Sequence, residues 1–97
     1  MRTPTDFEKK VYEVVKTIPY GTVLTYQEVA IKLGNKNFAR AVGNALNKNP
    51  DQISIPCHRV VNSNYQLAKN FRFGGESGQR KLLELEGIKI INNIVIK

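Results

Sequence analysis

The stretch Thr25-Tyr26-Gln27-Glu28-Val29-Ala30-Ile31-Lys32-Leu33-Gly34, followed after Asn35-Lys36 by Asn37-Phe38-Ala39-Arg40-Ala41-Val42-Gly43-Asn44-Ala45-Leu46, decides the fold. Its opening Thr-x-x-Glu is a capping box, in which the threonine hydroxyl takes an orphan N–H and the glutamate reaches back. A helix therefore runs through Val29, Ala30, Ile31 and Leu33, and Gly34 stops it as a left-handed residue. Asn37 is placed to cap a further helix over 38–46. Two short helices joined by a Gly-containing turn of about four residues form the helix-turn-helix pattern. The second of them is small-sided at Ala39, Ala41, Gly43 and Ala45, which admits close approach to another helix or to a groove wall.

Working outward, Thr5-Asp6-Phe7-Glu8 is a second capping box. Behind it, Phe7, Val11, Val14, Val15 and Ile18 recur at helical spacing, so a first helix of about three turns ends before Pro19. Pro19-Tyr20-Gly21 supplies a turn, and Val23-Leu24 a short, extended link. On the other side, Asn49-Pro50 ends the helix-turn-helix. Ile53 to Val61 reads as buried, extended chain broken by Pro56. Residues 62–76 read as a long loop, a length usually functional in a compact domain. Ser77 is the expected cap of a last helix through Leu82, Leu83 and Leu85, closed by Gly87. The tail 88–96 reads as a small hairpin turning at Asn92-Asn93, which tolerate positive φ. The fold class is mainly α: a helix-turn-helix, winged-helix-like domain with a short C-terminal β-hairpin, occupying 1–97 as a single unit.

The chain has 97 residues, few enough for one core, and 41% of them are hydrophobic, which argues globular structure over disorder. Its net charge of +7 is unevenly placed. The segment 32–81 holds Lys32, Lys36, Arg40, Lys48, Arg59, Lys69, Arg72, Arg80 and Lys81 against Asp51 and Glu76, while the flanks are balanced. A localised positive block points to a polyanion partner; the plainer alternative is a soluble basic surface. One cysteine is too few for a disulfide or a thiolate zinc cage. Charge in the first ten residues argues against a signal peptide, and no apolar run approaches the roughly 20 residues that span a bilayer. There is no P-loop, GxGxxG or internal repeat. The expectation is a cytoplasmic, nucleoid-associated protein with no cofactor, no metal and no membrane partner. Nothing signals oligomerisation, so a monomer is expected.

Cys57 lies in Ile55-Pro56-Cys57-His58-Arg59-Val60-Val61. A lone cysteine in an apolar segment is more often inert packing. Against that, adjacent cationic groups lower a thiol pKa and raise the thiolate fraction, and thiolate is the nucleophile. On extended chain, neighbouring side chains point to opposite faces. His58 therefore needs a bridging water or a bend to reach the sulfur. A base also needs an orienting group, and Glu86 is a candidate.

The Pro56-Cys57-His58-Arg59-Val60 run resembles the active-site signature of the O6-alkylguanine-DNA alkyltransferases. Phe7 onward, Pro19-Tyr20-Gly21, Thr25-Tyr26-Gln27, Arg40-Ala41-Val42-Gly43, Asn49-Pro50, Gly74-Gly75 and Leu85-Glu86-Gly87 follow the family's order, so the resemblance spans about residues 7–88. It implies direct, irreversible, single-turnover transfer of an alkyl group from O6-alkylguanine, or O4-alkylthymine, in double-stranded DNA. Cys57 would be the acceptor, His58 its base through a water, and Glu86 the carboxylate that orients His58. Asn49 would hold the active-site turn, and Tyr26 would help rotate the nucleotide and protonate the leaving base. Arg40 would be the finger that fills the stack, while Arg59 would be structural. Thr25, Tyr26, Ala39, Ala41, Gly43, Lys36 and Lys48 would face DNA; Pro56, Val60, Phe71, Arg72 and Phe73 would line the substrate pocket.

In the family the recognition helix enters the minor groove, whose base edges carry little sequence information, and the base is flipped out to react. The family's separate N-terminal domain has no counterpart in this sequence. The loop before Phe71 has Lys69-Asn70 where relatives usually place a glycine. Phe71 replaces a frequent tyrosine, and Phe73 narrows the pocket in favour of methyl. The rival readings are an alkyltransferase-like protein, which binds lesions without transfer and typically has tryptophan in place of the cysteine, and a helix-turn-helix regulator with an idle cysteine.

Overall fold

The computed structural model describes residues 3–96; Met1, Arg2 and Lys97, the ends of the expected domain, lie outside the described residues. Helix α1 spans Asp6–Lys16, and both halves of the Thr5–Glu8 capping box form. Its apolar stripe of Val11, Tyr12, Val15 and the following Ile18 is buried in the main core. Strand β1, Leu24–Thr25, leads at once into α2, Tyr26–Lys32, which opens on the expected Thr25–Glu28 box. Gly34 takes φ +105°, as a C′ residue should.

Asn37 does not cap the next helix. The Asn35 side chain accepts the Asn37 N–H at 2.9 Å and starts a single 3₁₀ turn, Lys36–Phe38, which runs into α3, Ala39–Leu46. The shorter reach from Asn35 satisfies the orphan donor one turn earlier. Helix α3 packs on both α1 and α2, and Val42, Ala45 and Leu46 are its inward face.

The segment expected to be extended is instead a chain of turns. The Asp51 carboxylate accepts the N–H groups of Ile53 and Ser54 at 3.0 and 3.2 Å, which leaves Ile53 94% exposed. Pro56, at φ −76° and ψ 68°, is an inverse γ-turn closed by Cys57 N–H donating to Ile55 O at 2.7 Å. Cys57–Arg59 then forms one 3₁₀ turn, and only Val60–Val61 is strand, β2. β2 pairs in parallel with β1, Leu24 opposite Val60 and Thr25 opposite Val61.

Helix α4 spans Gly75–Leu85, three residues earlier at its start than a Ser77 cap implies. Its cap is Gly74, at φ +115°, with no side-chain hydrogen bond. Gly75 is also left-handed, and its N–H donates to Phe71 O, so the loop folds back onto the helix. That fold brings Phe73 O to within 2.4 Å of where a Cβ on Gly78 would stand, so only glycine fits there. Gly87 closes α4: its N–H bonds Glu84 O, and the N–H of Ile88 bonds Leu83 O. Strands β3, Lys89–Ile91, and β4, Ile94–Ile96, form the expected hairpin, with Asn92 and Asn93 at φ 53° and 62°. The architecture is mainly α, as expected.

Candidate active site

The inverse γ-turn and the 3₁₀ turn that follow Asn49 decide the site. Cys57 is 3% exposed and belongs to the main core with Val60, Phe71 and Ala45. Asn49, fully buried, donates from Nδ2 to Ile55 O at 2.9 Å and accepts the Asp51 N–H, so it pins both ends of the turn before the cysteine. The same amide also hydrogen-bonds toward the Cys57 sulfur.

His58 is held from both ring nitrogens. Nε2 lies 2.6 Å from Glu86 Oε2 at the end of α4. The carboxylate further receives Arg59 Nε and Nη2 at 2.9–3.0 Å and the Gly21 N–H at 2.8 Å. Arg59 in turn donates to Ile18 O at 2.9 Å and lies over the Tyr20 ring. Glu86 is thus the hub that ties the α1–β1 turn, the cysteine segment and α4 together. Burial raises its carboxyl pKa, but the hydrogen bonds from Arg59, Gly21 and His58 outweigh that and hold it below the usual carboxylate range. Burial pushes His58 below its ordinary value, against the pull of Glu86 upward. A neutral imidazole beside an anionic Glu86 donates Nε2–H to it and leaves Nδ1 as the basic atom.

Nδ1 and the sulfur do not touch directly. The Gln52 side chain lies between them: Sγ donates to Oε1 at 3.0 Å, and Nε2 donates to Nδ1 at 2.7 Å. Burial raises the Cys57 thiol; the Asn49 amide, its own backbone and the Arg72 charge pull it back, without cancelling the rise. Tyr26, on the first turn of α2, is raised to about 12 by burial and by proximity to Cys57.

Tyr26, Ala39, Arg40, Gly43, Asn44 and Lys69 are among the residues lining an open groove of about 1100 Å³ between α3, the 62–74 loop and the hairpin tip. Gly43 leaves room for the Tyr26 ring, 3.9 Å from where its Cβ would be. Arg40 is exposed, and Lys36 and Lys48 are exposed outside the groove lining, as is half-buried Ala41. Thr25 is buried, its hydroxyl spent on the cap of α2. Pro56, Val60 and Phe71 are buried; Arg72 and Phe73 are at the surface, Phe73 edge-on to Phe71 with Arg72 over its ring.

Gln52 and Gln79 escaped sequence reasoning. Gln79 on α4, fully buried, donates to His58 O at 3.0 Å and Val60 O at 2.8 Å and accepts the Ala68 N–H at 2.7 Å. Its position on the buried face of a polar-looking helix was the available signal.

Residues 6–88 match the family model of the 6-O-methylguanine DNA methyltransferase DNA-binding domain. The chain belongs to this family. It is 43% identical over 84 residues to a methylated-DNA–protein-cysteine methyltransferase of Kluyveromyces lactis, covering 87% of this chain and 44% of that protein. It is also 41% identical to alkyltransferase-like protein 1 of Schizosaccharomyces pombe, covering 88% and 79%. Among solved structures, the Mycobacterium tuberculosis OGT in complex with DNA superposes with a TM-score of 0.80 at 42% identity, over 88% of this chain and 51% of that one. The S. pombe ATL in complex with DNA gives 0.78 at 38% identity, over 100% and 91%. The chain spans about half the length of the curated methyltransferases it matches, 44–54%. Among the described residues no helix is long and apolar enough to cross a membrane.

Proposed function

We propose that this chain repairs O6-alkylguanine in double-stranded DNA by moving the alkyl group, methyl foremost, onto Cys57 once and irreversibly. The observation that carries this reading is the pair of contacts on His58: Nε2 lies 2.6 Å from Glu86 Oε2, and Nδ1 faces the slot beside the chain's one thiol. The sulfur loses its proton toward Nδ1, and its lone pair attacks the methyl carbon in line with the C–O6 bond. The bonding electrons leave on O6, and guanine recovers a proton on the ring. Thiol and O6-methylguanine thus become thioether and guanine, with no other reactant. Tyr26, un-ionised at neutral pH with its pKa at about 12, is a hydroxyl donor for the departing base.

A stacked nucleotide keeps its methyl carbon away from a buried sulfur, so the base must be flipped out, at a cost of a few kcal/mol. Exposed Arg40 on α3 is suited to offset that cost by hydrogen bonding the orphaned partner and stacking in the gap. Arg40 and Lys69 line the groove on this face, and segment 32–81 carries the chain's positive surplus, so the binding proposed is phosphate-dominated and salt-dependent.

A second reading, lesion binding without transfer, is favoured by the likeness to the S. pombe alkyltransferase-like protein, 41% identical over 88% of this chain. Incubation with an O6-methylguanine duplex separates the two. Transfer adds one methyl mass to the Cys57 peptide, once per chain. An unmodified Cys57 beside lesion-selective binding would establish the second reading, and no lesion preference at all would defeat both.

A further inference from the structure

We propose that Gln52 is a positioning residue that latches the nucleophile: its carboxamide fills the slot between Sγ of Cys57 and Nδ1 of His58 and keeps the sulfur a thiol until the amide is displaced.

Two hydrogen bonds define the latch. The thiol donates to Oε1 at 3.0 Å, and Nε2 donates to Nδ1 at 2.7 Å. An acceptor facing a thiol favours the protonated form and disfavours the thiolate. The second bond occupies the Nδ1 lone pair that the reaction needs. A water in the same slot can accept the sulfur's proton while passing one of its own to Nδ1. An amide cannot do this without becoming an imidic acid, so the proton path is shut while Gln52 sits there. The opposite influence comes from Asn49, whose amide faces the sulfur as a donor and favours thiolate. Two side-chain amides therefore flank one sulfur and act in opposite senses.

Their mountings differ accordingly. Asn49 is fully buried and pinned at both ends of its amide. Gln52 projects from a short surface turn, half-buried beside the exposed Ile53, where a side chain can swing out without disturbing the core. The charged and titratable groups facing Cys57 and His58 are Tyr26 from α2, Arg72 from the loop, Arg59 from the same turn and Glu86 from α4. None of them occupies the slot.

The latch rests on the proposed transfer only for its purpose, and it is testable without DNA. The experiment follows alkylation of Cys57 by iodoacetamide against pH in the wild-type chain, Gln52→Ala and Gln52→Glu. Gln52→Ala admits water and moves the midpoint down; for each pH unit of displacement, alkylation at pH 7 rises about tenfold. Gln52→Glu places a carboxylate against the sulfur and moves the midpoint up. Loss of steric cover alone changes the high-pH plateau and leaves the midpoint in place. An unmoved midpoint in Gln52→Ala, or displacement of both variants in the same direction, would overturn the latch. Methyl transfer from an O6-methylguanine duplex, measured on the same three proteins, reads the proposed function separately. Opposite midpoint shifts without transfer would uphold the latch and reject the repair reading.

Discussion

Replacing Gln79 by leucine tests whether one buried amide carries the active-site turn. Its three hydrogen bonds join α4 to the 3₁₀ turn at His58, to β2 at Val60 and to the loop at Ala68. Leucine has a similar bulk, so the substitution removes the bonds with little change in packing volume. Two carbonyls and one N–H are left in a site that is fully buried. Each orphaned buried group costs about 1–3 kcal/mol, so the lower range of the sum is about 3–5 kcal/mol once partial relaxation is allowed. That is a large share of the about 5–15 kcal/mol that holds a domain folded. For a chain of this size it corresponds to a fall in Tm of about 12 °C or more. Urea unfolding followed by circular dichroism, with Tm by the same signal, measures it. A stability loss below about 1 kcal/mol would mean that the three groups find other partners or are not essential to the turn, and would remove Gln79 from that role.

The other predictions concern the chemistry more directly. Arg40→Ala is expected to slow repair of a duplex by about tenfold or more while leaving reaction with free O6-methylguanine nearly unchanged, since only the duplex requires extrusion; equal losses would refute the finger role. Burial holds His58 below its ordinary 6.5, so the rate of transfer should persist as pH falls through 6.5 and drop only at more acid pH, read from a single-turnover pH profile. Stability has a matching acid limb. Both His58 and Glu86 titrate lower in the folded state than in the unfolded chain, so the unfolded state binds more protons as pH falls. The His58 share of stability is present above 6.5 and is lost as pH falls through its folded value; the Glu86 share is present above 4.5 and is lost below that in the same way. Glu86→Gln should flatten the lower part of this limb in urea titrations from pH 6 to pH 3, and an unchanged slope would count against Glu86 as the hub.

The helices were legible because their determinants are local. Each Thr-x-x-Glu box formed with both of its hydrogen bonds, and the Asn92-Asn93 turn took the positive φ its residues permit. The failures are equally instructive. Two side chains, Asn35 and Asn37, competed for one helix start, and the nearer turn geometry won. Ser77 lost its cap because Gly74 and Gly75, both left-handed, start the helix three residues sooner, with the Gly75 N–H on Phe71 O, a backbone turn that side-chain capping patterns do not signal. The Ile53–Val61 run looks like a strand by its apolar content, yet the Asp51 carboxylate and Pro56 bend it twice. Those bends are what bring Cys57 and His58 to a common slot. Cys57, His58, Glu86, Tyr26 and Arg40 were visible through the resemblance carried by short motifs. Gln52 and Gln79 were not, because their roles come from distance and burial, which the sequence does not print.

In the proposed reaction, folding and chemistry draw on the same atoms around Cys57 and on different ones along α3. The Glu86 carboxylate that fixes the His58 tautomer also takes the Gly21 N–H and the Arg59 guanidinium that join three segments of the chain. Asn49 both closes the turn and faces the sulfur, and Gln79 holds the backbone of His58. A substitution at any of these lowers stability and reactivity together, so loss of transfer there says little about catalysis unless folding is measured beside it. Arg40 is different: it is exposed on the outer face of α3, while Val42, Ala45 and Leu46 do the packing. On the proposed function, DNA engagement can therefore be altered from the groove without loosening the core that holds the thiol. Gln52 lies between these regimes, on a surface turn but in contact with the Cys57 sulfur, which makes it, on the proposed latch, the position where reactivity can be changed while the fold is kept.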